Sequence, residues 1–386
     1  MKRLFALFLA LAMIMTCTAC GGQKKNVDTI GDQSDGKEKY RLGIIMAQGG
    51  LGDLGYNDDA KVGADAAVEQ YGIEYTLVDP TDLTQGETYA RQLAEEGYDA
   101  IFSLEFSFKD AMRTVAAEYP DTIFIVQGVY TDSVEPPENL VVEVYYNNES
   151  NFLAGICAAY LATDGNSVVD GIGTNPGCAI GMIMGTESTG FYRNADAFTA
   201  GALFYNPDCN VMLDFTCGFS DTSNCKNIAT NMVQNGADVI YTCTGAAGLG
   251  GLEACKELNV YGIGVDSNQD YLQPGIIVTS VVRSTSRTVL EIAKDLTEGT
   301  LRGSEIVDTV GNGGVGLTDM ATISEYVTNK EKFEELQKIL ANVIEGIDDG
   351  SIIAFDYYDN GRFVEWAEKQ EELPTYEDWL ASREAA

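Results

Sequence analysis

Three glycine-bearing loops hold the residues whose types and spacing could do chemistry. In the first, GGLGDLGYN at 49 to 57, Gly49, Gly50 and Gly52 let backbone approach a ligand where a helix opens, and Asp53, Tyr56 and Asn57 add a carboxylate, a ring and an amide. It is not a phosphate loop, because no Lys-Ser/Thr pair completes a Walker motif and the G-x-G-x-x-G spacing is missing. In the second, GAAGLGG at 245 to 251, Asp266 follows Gly248 by 18 residues, superficially like a dinucleotide fingerprint with its ribose acid. Its third glycine is misplaced, since Gly251 directly follows Gly250, and tight helix packing explains these glycines equally well. The third loop, TESTG at 186 to 190, fits a nucleophile elbow but for Thr186 in the place of the first glycine.

Composition removes most catalytic chemistries. The chain has 0 histidines, so it has no imidazole to act as base, proton shuttle or metal ligand, and Ser188 has nothing of that kind to activate it. A nucleoside hydrolase would need clustered acids or a metal, and no D-x-D-x-x-x-D-D run is present. The reading is therefore of a binding protein with no enzyme activity, cofactor or metal. A formal charge of −35 argues against nucleic acid and anionic lipid as partners.

The first residues set the compartment. Lys2 and Arg3 precede an apolar run from Leu4 to Met15 and then CTACGG, the order of a bacterial export signal. The run is shorter than the roughly 20 apolar residues that span a bilayer. Cys17, Thr18 and Ala19 before Cys20 resemble a lipobox, with Cys17 where Leu is usual, so Cys20 is read as the lipid attachment site. The alternative is a plain signal cut after Ala19. Residues 20 to 39 are polar and glycine-rich, a flexible tether to the membrane. Seven further cysteines, from Cys157 to Cys255, are an odd number for a disulfide framework. They are read as mostly reduced core residues, with Cys217 and Cys225 the tempting local pair.

Positioning these loops requires alternating strands and helices. Apolar runs at 41–46, 75–79, 99–104, 122–127 and 140–145 alternate with helical periods near 57–71, 84–97 and 108–118, and the pattern repeats with strands at 179–184, 210–216, 238–243 and 260–265. This predicts an α/β fold of two doubly wound parallel-sheet domains with a ligand cleft between them. Residues 40–146 plus 276–305 are expected to form the first domain, and 147–275 plus 306–350 the second. An aromatic-rich extension, 351–386, is expected to cover a domain surface.

In order along the chain, GGLGDLGYN, YPDTIFIV, NESNFLAGICAAYLA, GFSD, NGADVIYTCTGAAGLGG, YGIGVDSNQ and VTSVVR resemble the basic membrane protein family of ABC-transporter substrate-binding lipoproteins, purine-nucleoside-binding type. The resemblance implies a type I periplasmic-binding-protein fold and an extracytoplasmic, lipid-anchored, monomeric protein that delivers a nucleoside to an ABC permease and its ATPase. It implies that Tyr56 and Phe219 sandwich the purine and that Asp266 accepts from both ribose hydroxyls. Asp53 and Asn57 fall at the cleft edge, Gly245 in the strand-to-helix loop, and Arg283 where the family usually has Lys. Two acids usual in the family are replaced by Ala47 and Gln127, and Glu105 could substitute sterically. A flat heterocycle such as riboflavin, or a role as a nucleoside-sensing receptor subunit, remains the alternative.

Overall fold

The computed structural model describes residues 39–128, 134–163, 168–354 and 374–385. The leader, the tether with Cys20, and the tail aromatics Tyr357, Tyr358, Phe363 and Trp366 lie outside the described residues.

The first lobe runs β1 (Arg41–Ile45), α1 (Tyr56–Tyr71), β2 (Glu74–Val78), α2 (Gly86–Glu95), β3 (Ala100–Ser103), α3 (Lys109–Glu118), β4 (Ile123–Gln127) and β5 (Leu140–Tyr145). The second runs α4 (Asn147–Ala162), β6 (Ala179–Met184), α5 (Thr189–Tyr205), β7 (Asn210–Asp214), α6 (Thr222–Gln234), β8 (Val239–Cys243), α7 (Gly248–Leu258), β9 (Tyr261–Asp266) and β10 (Ile277–Arg283). The chain then returns to the first lobe for α8 (Thr285–Glu298) and β11 (Glu305–Asp308). It ends in the second with β12 (Val315–Leu317), α9 (Ala321–Ser324) and α10 (Lys330–Asp348). The strand orders are β11-β5-β4-β3-β1-β2 and β12-β10-β9-β8-β6-β7. All pairings are parallel except that of β12 with β10. Strands such as Ile123–Gln127 and Val239–Cys243 are apolar on both faces because helices cover both, as parallel sheets require.

Two boundaries differ from the sequence expectation. Residues 276–283 do not re-enter the first lobe: β10 pairs with β9 inside the second sheet, and the crossing comes after Arg283. Residues 306–308 belong to the first sheet, where β11 pairs with β5. For β10 the cause is that a strand apolar on both faces fits the interior of either sheet, and its periodicity does not say which; β11 is an alternately exposed edge strand, which could close the edge of either.

The chain thus crosses between lobes three times, after Tyr145, after Arg283 and after Asp308. The core of the second lobe is α4, buried around nearly its whole circumference, as its apolar sequence demands. It packs backbone to backbone with α5, because a Cβ on Gly155 would collide with the Phe198 carbonyl and one on Gly201 with the Phe152 carbonyl. In the first lobe α1 packs on α8. A C-terminal helix (Tyr376–Glu384) places Tyr376 and Trp379, both buried, against Phe204. Among the described residues no helix is long and apolar enough to cross a membrane.

Candidate functional site

The loop after β1 is held from within. Asp53, 3% exposed, accepts hydrogen bonds from the backbone N–H groups of Gly55 (3.0 Å), Asn57 (2.9 Å) and Asp58 (3.2 Å) and from Asn57 Nδ2 (3.0 Å). A carboxylate there satisfies the otherwise orphaned donors at the start of α1 and suits the positive end of its dipole. Asn57 Oδ1 accepts from the N–H of Ala47 over 2.9 Å, tying the helix back to the strand. Asp53 and Asn57 therefore act first as scaffolding that presents Tyr56 in the first turn of α1. Glu105 is similarly engaged: its carboxylate accepts from Gln48 N–H (3.2 Å), Ser107 N–H (3.1 Å) and Ser107 Oγ (2.6 Å).

At the crossings the lobes meet in a cluster around Arg283. Its guanidinium lies over the rings of Tyr56 and Tyr145, 3.8 and 4.7 Å from their centroids, and 3.9 Å from Asp266 Oδ1. Gln127 Nε2 donates to the Tyr56 hydroxyl, to the Tyr145 hydroxyl (2.9 Å) and to Glu143 Oε2 (3.3 Å). Burial raises the Tyr56 and Tyr145 phenols above their ordinary range, so both are neutral hydroxyls, while Arg283 pulls in the opposite direction. Glu143 is fully buried, and desolvation pushes its carboxyl up to about 7 against hydrogen bonds from Tyr145 and Thr288.

Asp266 ends β9 with φ of 65°, a left-handed conformation unusual for a residue with a side chain and a mark of constraint at functional sites. Desolvation raises its carboxyl to about 6; Arg283 lowers it, and Asp53 and Asp59 raise it further. The neighbouring Ser267 Oγ and Gln269 Nε2 donate to the Leu54 carbonyl over 2.9 and 3.0 Å, latching the β9 loop to the β1 loop across the lobes. Arg193 makes a second latch, donating to the Tyr145 carbonyl (3.3 Å) and Asn148 Oδ1 (2.7 Å).

The structure thus brings Tyr56, Gln127, Asp266 and Arg283 together. Phe219 sits on the second lobe at the carboxyl ends of β6 and β8, against Gly185 and Gly245, with its ring 5.8 Å from that of Phe191. Gly245 has φ of 55°, and a Cβ there would approach the Phe219 backbone and ring. Phe219 is not in ring contact with Tyr56; Tyr145, which sequence reasoning missed, supplies the second ring against the guanidinium. Also missed were Glu143, whose signal was an acid inside the apolar run LVVEVYY, and Asn151 on α4.

A cavity of about 20 Å³ remains beside Arg283, lined by Asn147, Asn151, Asn194, Tyr241 and Asp266 among others, room for a single water. A larger ligand must part the lobes or swing Arg283 aside. Glu143 Oε1, Asn151 Oδ1 and Arg283 Nε are buried without a hydrogen-bond partner. Buried polar atoms are otherwise nearly always paired, so such a group of them marks where a polar ligand would be received. A groove of about 260 Å³ at Pro136, Pro137 and Leu140 lies at the opposite, amino end of the first sheet and gathers no such groups.

A family model described as ABC transporter substrate-binding protein PnrA-like (Bmp) matches residues 41–348. The chain is 28% identical to the ABC transporter nucleoside-binding protein BmpA of Lactococcus lactis subsp. cremoris, over 82% of this chain and 91% of that protein. It is 26% identical to basic membrane protein A of Borreliella burgdorferi, over 78% and 86%. A solved ABC transporter solute-binding protein from Aeropyrum pernix K1 superposes with a TM-score of 0.73 at 24% identity, covering 87% of this chain and 97% of that one.

Proposed function

We propose, for a chain that belongs to the Bmp family of PnrA-like ABC transporter substrate-binding proteins, that the ligand it captures is a nucleoside, held between the lobes at the Arg283 cluster. In this reading the two lobes close around the ligand, Tyr56 stacks on the base, and Phe219 approaches from the second lobe. A ring face is worth ~1 to 3 kcal/mol per base. The ionised Asp266 accepts from the ribose hydroxyls, for which one carboxylate has enough lone pairs. Gln127 and Glu143, side by side in paired register on β4 and β5, read the polar edge of the base in place of the acid that Ala47 lacks. The ligand is a purine nucleoside, the protein is anchored through a lipid on Cys20, and it hands its cargo to a permease driven by an ATPase.

The single observation that carries this reading is the convergence of a planar cation, two tyrosine rings and a constrained carboxylate on one interlobe point, with unpartnered polar atoms around it. Rings suit a flat heterocycle, and the carboxylate suits a diol. The printed name of the Lactococcus relative, a nucleoside-binding protein, supports the same reading. A thermal-shift screen over ribonucleosides, flavins and sugars tests it. Stabilisation by purine ribonucleosides and by neither of the other classes is expected. Stabilisation by riboflavin alone would move the assignment to another flat heterocycle.

A further inference from the structure

Cys178 immediately precedes β6, and Cys209 immediately precedes β7. The two strands run parallel with Ala179 opposite Asn210, and the Asn210 N–H donates to the Cys178 carbonyl over 2.9 Å. The two cysteines are therefore neighbours across a strand pair, and their sulfurs lie 2.7 Å apart. Adjacent strands are spaced about 4.8 Å, within the roughly 4.4 to 6.8 Å Cα separation that a disulfide accepts.

We propose that Cys178 and Cys209 form a disulfide that staples the edge strand β7 to β6. The other thiols are placed differently: Cys157, Cys243 and Cys255 are buried in the core, and Cys217 and Cys225 share a hydrogen bond deeper in the lobe. Cys178 is partly exposed and Cys209 is buried, so Cys178 is the sulfur an oxidant can reach. The hydrogen bond it shares with Cys209 also holds its thiol below the usual range. The oxidant is a disulfide, either a small-molecule one or that of an oxidoreductase. The Cys178 thiolate attacks one of its sulfurs and expels the first thiol. The Cys209 thiolate then attacks Cys178 Sγ in the mixed disulfide and expels the second. Two protein thiols lose two electrons and two protons, and the oxidant disulfide becomes two thiols.

The cross-link falls at an edge of the second sheet. β7 is the last strand in its sheet order, bonded only to β6 with no residue fully buried, and its carboxyl end leads into the loop that carries Phe219. A bridge at its start fixes an edge that the ladder alone holds on one side.

The test is peptide mapping of the purified full chain after incubation with oxidised glutathione and alkylation of remaining thiols. A Cys178–Cys209 peptide pair is expected, with Cys157, Cys243 and Cys255 alkylated. Alkylation of both Cys178 and Cys209, or linkage of either to another cysteine, overturns the proposal. In thermal melts, dithiothreitol should lower the midpoint of the oxidised protein by about 5 °C or more and leave a Cys178→Ser, Cys209→Ser variant unmoved. A melt insensitive to reductant would contradict the role of the bridge in holding β7.

Discussion

The guanidinium of Arg283 lies over the ring of Tyr56, 3.8 Å from the centroid, although the two residues belong to different lobes. Arg283 is the last residue of a second-lobe strand and Tyr56 opens a first-lobe helix, so this stack ties the two lobes together. A planar cation gains from both tyrosine faces at once, at about 0.5 to 2 kcal/mol for each. Lysine keeps the charge beside Asp266 but not the plane. Arg283→Lys should therefore cost about 1 kcal/mol of stability in urea unfolding at pH 8, with the fold intact by circular dichroism. An unchanged midpoint would show that the stack contributes nothing.

Glu143 predicts a pH dependence of stability. Its folded carboxyl is raised to about 7, so the folded state holds the proton more tightly than the unfolded one. Stability is lost as pH climbs from the ordinary carboxylate range through 7, and the full penalty stands above that. The groups facing it are Gln127, Tyr145, Thr288, Asp308 and Arg283; hydrogen bonds from Tyr145 and Thr288 and the charge of Arg283 favour its ionised form, and Asp308 opposes it. Glu143→Gln should raise stability by about 2 kcal/mol at pH 8 and change it little at pH 4.5. Destabilisation at pH 8 would mean that the charge is net favourable beside Arg283.

Asp266 gives the opposite dependence to ligand binding. Its carboxyl sits at about 6 in the free protein, and hydroxyl donors from a ribose favour the ionised form. Nucleoside affinity should be full above pH 7 and fall as pH drops through 6, with proton release on binding near pH 6. Calorimetry in two buffers of different ionisation enthalpy measures that release. Proton uptake instead would remove the ionised carboxylate from the bound state.

Anchoring is tested at the other end of the chain. Cys20→Ala should leave the protein exported but released from washed membranes, and retention there would count against a lipid on Cys20.

The alternation of strand and helix was legible because it is local. The helical periods near 57–71 and 108–118 match α1 and α3 to within a residue. The sheet that receives β10 was not, because a run of five buried residues, Ile277 to Val281, fits either sheet. Tyr56, Asp266 and Arg283 could be named from motifs in their loops. Glu143 and Tyr145 could not, since an acid alternating with valines reads as the solvated face of a strand. Only the pairing of β5 on both edges and the cover of α8 over it put that acid inside. Asp53 presents the converse case: a carboxylate in a glycine loop reads as a ligand contact, whereas the folded loop turns it onto four donors of its own.

The central claim is that Asp266 holds the ribose of a nucleoside between the lobes, and calorimetric titration with a purine ribonucleoside and its 2′-deoxy analogue tests it most directly. A hydrogen bond to a charged acceptor is worth about 1.5 to 3 kcal/mol. Wild type should bind the deoxy form at least about tenfold more weakly, and Asp266→Ala should lose affinity for the ribonucleoside and shrink that difference. A difference unchanged in the variant, or no nucleoside binding by the wild type, would contradict the account.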